Sequence, residues 1–438
     1  RSDVGRLYRY LIGFLKEQKP LPEKEEVIQA LFPDAVYRVV ELDLLMSYLF
    51  RLVSQYIIQK ERDLSDWENE LHLAIGLRKR GLEQDFSRTV KRLQTQLDQQ
   101  DLRDAQFYHA HYALEWEQYL QFTSQSPTKL ANLGELTKNM DRAYLARKLR
   151  HACLSIPHRT VYQTDHQIDL EEEVLQIVAA SDWLSVPAIA IYYYCYYMQT
   201  DPEKEIYFTQ FKAILFDHGQ RFSLNETRDL YLLAINYCVR QANEGQSQYL
   251  EQLYELYREG LKKAVLLENG ILSRFTYHNA VGVGLRTGHY VWTEQFIQEY
   301  KPALEKKYRN SSYSFNQARL EYDRKNYQAA LPLLQQSNYR DLLLNLAAKT
   351  LLLKIYYELE EYDLLDSHLE AMLKYLRRKK VMGYHKTNYL NIIRFAKKLI
   401  NVNAFNKREW QKLAQGITNE EVLTERLWLM NQLEKLKT

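Results

Sequence analysis

Apolar residues recur along this chain at three- and four-residue intervals, the spacing that gathers them on one side of a helix. Leu7, Leu11, Phe14 and Leu15 form one such stripe. Leu45, Tyr48, Leu49, Leu52, Val53, Tyr56 and Ile57 form a longer one and predict a helix of several turns. Sustained apolar–polar alternation, the mark of a half-buried strand, occurs nowhere. The pattern predicts roughly 18–20 helices joined by short polar turns. Some starts are marked. Asp201 before Pro202, with Glu203 and Glu205 behind them, has the order of a cap, a first-turn proline and acids facing the helix dipole. Ser223 and Glu226 have the spacing of a capping box. Glu171-Glu172-Glu173 reads as the first turn of another helix.

The intervals between similar segments carry further information. Cys153, Cys195 and Cys238 stand 42 and 43 residues apart, each near the end of an apolar helical run. A small residue repeated at this position predicts close approach of two helices. Further on the interval shortens. Gly288-His289-Tyr290, Lys325-Asn326-Tyr327 and Glu360-Glu361-Tyr362 align on their tyrosines, 37 and 35 residues apart. Asn279 corresponds to Asn316 and Tyr322 to Tyr357, while Thr293 and Leu365 stand where the middle unit has Ala330.

Phe315-Asn316-Gln317-Ala318, Glu321-Tyr322, Asn326-Tyr327, Ala330 and Leu334 resemble a tetratricopeptide repeat, a family whose unit is about 34 residues. The first-helix Trp and the closing Pro of that family are absent here. The resemblance covers residues 277–375 most clearly, and looser helical pairs extend it upstream to about residue 126 with a longer period. It implies an all-α fold: a right-handed α-solenoid of antiparallel helical hairpins over residues 126–438, preceded by an additional helical N-terminal region, residues 1–125. It also implies a non-enzymatic protein–protein interaction scaffold or adaptor, receiving a peptide or helix of a partner on its concave face. A physical argument supports stacking. One such helix pair cannot bury its apolar side alone, and neighbours in an array bury it for each other.

Composition agrees with this reading. Of 438 residues only 14 are Gly and 9 Pro, too few for a turn-rich β fold, and the apolar fraction of 46% excludes disorder. The 35 tyrosines suit repeat packing, each offering a flat apolar body and a hydroxyl for the surface. In Tyr192-Tyr193-Tyr194 and Tyr196-Tyr197 they could alternatively form an aromatic groove. Three cysteines make no disulfide framework and fit a reduced, cytoplasmic compartment. The longest apolar run, Val186 to Met198, is too short to span a bilayer, so no membrane insertion is expected.

Candidate chemistry is sparse. Gly282, Gly284 and Gly288 are spaced one residue too long for a dinucleotide loop and follow no strand, so they read as sites of close helix approach. His109 and His111 point to different faces of a helix. His111 and Glu115 share a face but lack a third ligand. His151, His158 and His166 are placed around a helix end and the loop after it. No catalytic residue, metal site or cofactor is expected.

Charge adds one feature. The chain carries 59 basic and 56 acidic residues, a net of +3. Yet the interval from Lys374 to Arg408 holds eleven Lys and Arg and no acid. Lys374, Arg377 and Arg378 share one helix face, and Arg394, Lys397 and Lys398 share a face of the next. With Lys379, Lys380 and Lys386 at the intervening turn they predict a patch for an anionic partner, an acidic protein or a nucleic-acid backbone. The alternative function is therefore a nucleic-acid-associated or transcription-regulating protein. An N-terminal helix-turn-helix would strengthen it, but the second helical run between Pro22 and Gln59 is too apolar to read DNA.

Overall fold

The structure is a computed structural model that describes the chain apart from residues 1, 18–19, 21, 34–38, 64–65, 126–132, 163–168, 336–338, 340, 379–382, 404–405 and 437–438. It is all-helical, with 21 α-helices among the described residues, and neighbours in sequence pack against one another. The chain divides into two compact units, Arg1–Ser223 and Leu224–Thr438.

The first unit holds α1 (Ser2–Lys16), α2 (Lys24–Leu31), α3 (Val39–Asp63), α4 (Asp66–Arg78), α5 (Glu83–Asp98), α6 (Ala105–Gln125), α7 (Leu133–Tyr162), α8 (Glu171–Ala179), α9 (Pro187–Thr200) and α10 (Glu205–His218). Leu7, Val27, Leu31, Phe32 and Leu42 make a small core between α1, α2 and α3. Phe86, Val90, Leu93 and Leu97 of α5 pack on Ala74 of α4 and on Ala110 and Leu114 of α6. The expected junction at residue 125 falls at the end of α6, which packs on α7 within this unit. Cys153 of α7 lies fully buried and donates its thiol to the Tyr192 carbonyl of α9 at 3.1 Å, the close approach that a small residue permits. Cys195 and Cys238 are buried equally.

Asp201 does not cap α10. It closes α9 instead: its N–H donates to the Tyr197 carbonyl at 2.8 Å and its carboxylate meets Lys204 Nζ at 2.7 Å. The helix therefore starts beyond Pro202, at Glu205. His151 and His158 stand inside α7 rather than around its end, because the helix runs through Pro157 to Tyr162. The side chain of His158, and His166 altogether, lie outside the described residues. α8 does open on Glu171, whose carboxylate accepts from the Tyr196 hydroxyl at 2.7 Å.

The second unit holds α11 (Leu224–Asn243), α12 (Tyr249–Lys262), α13 (Arg274–Arg286), α14 (Tyr290–Glu299), α15 (Lys306–Asp323), α16 (Tyr327–Gln335), α17 (Leu342–Glu358), α18 (Tyr362–Arg378), α19 (Tyr384–Asn401), α20 (Lys407–Asn419) and α21 (Arg426–Lys435). One feature escaped the helical reading. Leu267–Glu268 and Ile271–Leu272 pair as antiparallel two-residue strands around Asn269-Gly270, both at positive φ, as a tight hairpin turn requires.

Tyr290, Tyr327 and Tyr362 each open a helix. The turns before them are alike. Gly288, Lys325 and Glu360 take the left-handed conformation at φ 77°, 63° and 59°. The N–H after each reaches back to close the preceding helix: His289 to Gly284, Asn326 to Glu321 and Glu361 to Tyr356, at 2.9, 2.8 and 3.0 Å. This is the Schellman closure. Gly245 at φ 98° and the bond from Gln246 to Gln241 repeat it after α11. Within the units Tyr322 and Tyr357 are buried alike, as are Thr293, Ala330 and Leu365, whereas Asn316 is buried and Asn279 exposed.

Candidate functional site

Side chains of α11, α13, α15, α17 and α19 line two cavities, and α13 contributes to both. Asn279, Gly282 and Arg286 occupy one face of α13, three and four positions apart. Asn279 lines a cavity of about 710 Å³ with Arg228 and Asn236 of α11, Tyr257 of α12 and Glu268 of the hairpin. Gly282 and Arg286 line a second of about 340 Å³ with Arg319 of α15, Lys354 of α17, Tyr389 of α19 and Glu425. Both volumes fall in the range of ligand-binding clefts.

Gly282 and Gly284 of α13, and Gly288 in the turn after it, each have a packing or backbone reason. A Cβ on Gly282 would stand 2.8 Å from Arg319 Nη2, so the glycine makes room for that guanidinium. A Cβ on Gly284 would stand 2.1 Å from Thr293 Oγ1, so this glycine lets α13 touch α14. Gly288 supplies the left-handed turn.

The smaller cavity has a cationic lining. Arg319 Nη1 donates to the His278 carbonyl and to Asn316 Oδ1, both at 3.1 Å. Among the described residues no carboxylate lies within ion-pair distance of Arg319, and burial lowers the pKa of its guanidinium. Lys354 Nζ meets Glu425 Oε2 at 2.8 Å and lies 4.7 Å from the Tyr322 ring centroid. Arg286 is exposed at the rim. Asp323 accepts from the Tyr290 hydroxyl at 2.9 Å. Beneath Arg319, Asn316 Nδ2 donates to His278 Nδ1 at 2.8 Å, which requires a neutral imidazole. Burial first, then the Arg319 charge, holds His278 down at about 4.

The larger cavity is framed differently. Arg228 donates to the Val265 and Leu267 carbonyls at 3.1 and 2.7 Å. The hairpin is thereby tied to α11.

The basic patch is placed in part. Lys374, Arg377 and Arg378 are exposed on α18, and Lys386, Arg394 and Lys398 on α19, while Lys397 is half-buried. Lys379 and Lys380 lie outside the described residues. Lys397 pairs with Glu370 and Arg394 with Glu420. The Lys397 hydrogen bond and charge, followed by the Lys374 and Arg377 charges, lower the Glu370 pKa. Cations of both helices thus converge on one carboxylate.

The remaining candidates separate. Glu115 accepts from Asn139 Nδ2 at 3.2 Å, while His111 faces Asp98 at 3.8 Å. Among the described residues no three His, Cys, Asp or Glu side chains gather as metal ligands. Of the tyrosine run, Tyr192 is buried, Tyr193 packs on Tyr197, and Tyr197 stacks on Tyr207 at 5.0 Å. Those rings cover each other. Among the described residues no helix is long and apolar enough to cross a membrane.

Sequence reasoning missed Arg319, Lys354 and Glu425. A signal for two of them existed, since Arg286, Arg319 and Lys354 stand 33 and 35 residues apart. No family model, curated protein or solved structure matches this chain.

Proposed function

We propose that the second unit is a protein-binding scaffold, a right-handed solenoid of tetratricopeptide-like hairpins that takes an extended peptide or a helix of a partner protein along its inner face. The observation that carries this reading is the convergence of α11, α13, α15 and α17 on two cavities that share one face of α13. The recurring left-handed turns at Gly245, Gly288, Lys325 and Glu360 support the repeat. A groove built from packed helices is preformed, which limits the ordering cost of binding. Arg286, Arg319 and Lys354 outnumber Asp323 and Glu425 around the smaller cavity and favour an acidic segment. The nucleic-acid reading is weaker, because Glu420 and Glu370 already occupy Arg394 and Lys397.

The test begins with proteins captured by the full chain, followed by anisotropy titration of peptides tiled across them. One segment should bind saturably. Arg286→Glu and Asn236→Trp, both at exposed positions, should each weaken it by at least about tenfold without lowering the melting temperature. Unchanged affinity in both variants refutes the groove.

A further inference from the structure

The helix α3 (Val39–Asp63) does not bury the stripe its sequence carries. Leu42 enters the core with α1 and α2, and Leu45 and Leu49 pack beside it. Beyond that contact Leu52, Val53, Tyr56 and Ile57 are 40%, 37%, 61% and 51% exposed. Next to the covered face runs a second line: Met46, Phe50, Val53, Ile57 and Lys60, spaced four, three, four and three. That is a heptad seam with Asp43 one step before it. Phe50, at its middle, is 74% exposed. Ser47 and Ser54 flank one side and Leu49 and Tyr56 the other. An uncovered apolar surface of this extent marks an interaction site.

We propose that this seam pairs α3 with α3 of a second copy of the chain, in antiparallel orientation. A two-fold interface must be complementary to itself. Antiparallel pairing about the point between Phe50 and Val53 meets that demand. Phe50 then faces the second copy's Val53, Met46 its Ile57, and Asp43 its Lys60, with every contact made twice. Parallel pairing would set Asp43 against Asp43 and Lys60 against Lys60, which is repulsive at both ends. Asp43 already meets Lys24 Nζ through Oδ1 at 2.7 Å, but its side chain is still 50% exposed and its second oxygen can accept from Lys60. The area is sufficient. With large side chains carrying about 150–250 Å² each, the exposed parts of Met46, Phe50, Leu52, Val53, Tyr56 and Ile57 amount to roughly 600 Å². A standard interface takes about 800 Å² per partner, of which about 65% is apolar in homodimers.

The experiment is sedimentation equilibrium of the full chain over a range of concentrations, with circular dichroism as the check on folding. The wild-type chain should dimerise. Phe50→Glu should raise the dissociation constant by at least about 100-fold, because it places a charge at the centre of a buried seam. Lys60→Asp should raise it by about tenfold, and adding Asp43→Lys together with Lys24→Glu, which keeps the ion pair between positions 24 and 43 with its signs exchanged, should return the constant to within about threefold of wild type. A wild-type chain that remains a monomer at tens of micromolar overturns the proposal. So does a dimer indifferent to Phe50→Glu, or a charge swap that fails to restore what Lys60→Asp removes.

Discussion

Trp428 donates its indole N–H to Glu358 Oε1 at 2.8 Å, joining α21 to a residue 70 positions earlier at the end of α17. The same carboxylate accepts from the hydroxyls of Tyr322 and Tyr327, and Lys325 Nζ stands 3.3 Å away. One acid thus ties together the end of α15, the turn after it, the start of α16, α17 and α21. Burial alone would raise the Glu358 pKa, but the Tyr322, Tyr327 and Trp428 hydrogen bonds and the Lys325 charge outweigh it and leave the group lowered.

Glu358→Gln replaces an acceptor of four donors by an amide that presents N–H groups to some of them. The variant should lose about 2–4 kcal/mol of stability in the second unit, since buried donors are left facing a donor. The wild-type contribution is present above the ordinary carboxylate range and disappears as pH falls through the lowered folded value. The variant should therefore lack part of the acid-side loss. Urea titrations across the acid range, followed by tryptophan emission, measure both effects.

His278 gives a second dependence on pH at a higher window. Its unfolded pKa is 6.5 and its folded value about 4, held there by burial and by Arg319, with Arg274 acting in the same direction and Asp341 against it. Between those values the unfolded chain binds a proton that the folded chain does not. Stability is complete above the upper value and falls as pH drops toward the lower one, by up to about 1.4 kcal/mol per pH unit. His278→Gln, which keeps an acceptor for Asn316, should flatten that slope. Equal slopes in the two proteins would remove His278 from the account.

The recurring turns were readable because their signals are local. A tyrosine at a helix start and a turn residue two positions earlier require only a few neighbours in sequence, and the intervals between Tyr290, Tyr327 and Tyr362 expose them. Glu358 was not readable: nothing near it in sequence announces Trp428, because the partnership is created by the packing of α21. Asp201 misled for a related reason. Its cap-like context is genuine, but the end of α9 competes for the same residue and wins. The hairpin at Asn269-Gly270 has strands of two residues, too short for alternation to register. In α3 the periodicity predicted the helix correctly and also implied burial, which α1 and α2 supply for only part of its length.

Gly284→Ala tests the contact between α13 and α14. The added methyl would fall 2.1 Å from Thr293 Oγ1 and 3.2 Å from the Trp292 ring. The expected cost is about 1–3 kcal/mol from overpacking, despite the better helix propensity of alanine. Thr293→Ala removes the obstructing oxygen, so the double variant should recover at least about 1 kcal/mol relative to additivity. Chemical denaturation of the two single variants and the double variant closes the cycle, and simple additivity would show that the helices separate instead.

Glu370 and Glu420 determine how much of the C-terminal positive charge is available to a partner. Each holds a cation of α19, and both ion pairs lie at the surface, Glu370 at 49% and Glu420 at 26% side-chain exposure. Such pairs contribute little to folding, so Glu370→Gln with Glu420→Gln should change stability by less than about 1 kcal/mol. The field should change far more, because Lys374, Arg377 and Lys397 all act on Glu370. Removing both acids should raise the salt needed to elute the chain from a heparin column. If the freed cations each engage a phosphate, the slope of log affinity against log salt for duplex DNA should steepen by up to about two. The screening length is about 10 Å at 0.1 M salt, so the gain should be largest at low ionic strength and fade above it. Unchanged elution would mean that the cations of α18 and α19 act singly, and the patch would then be a solvated surface rather than a site.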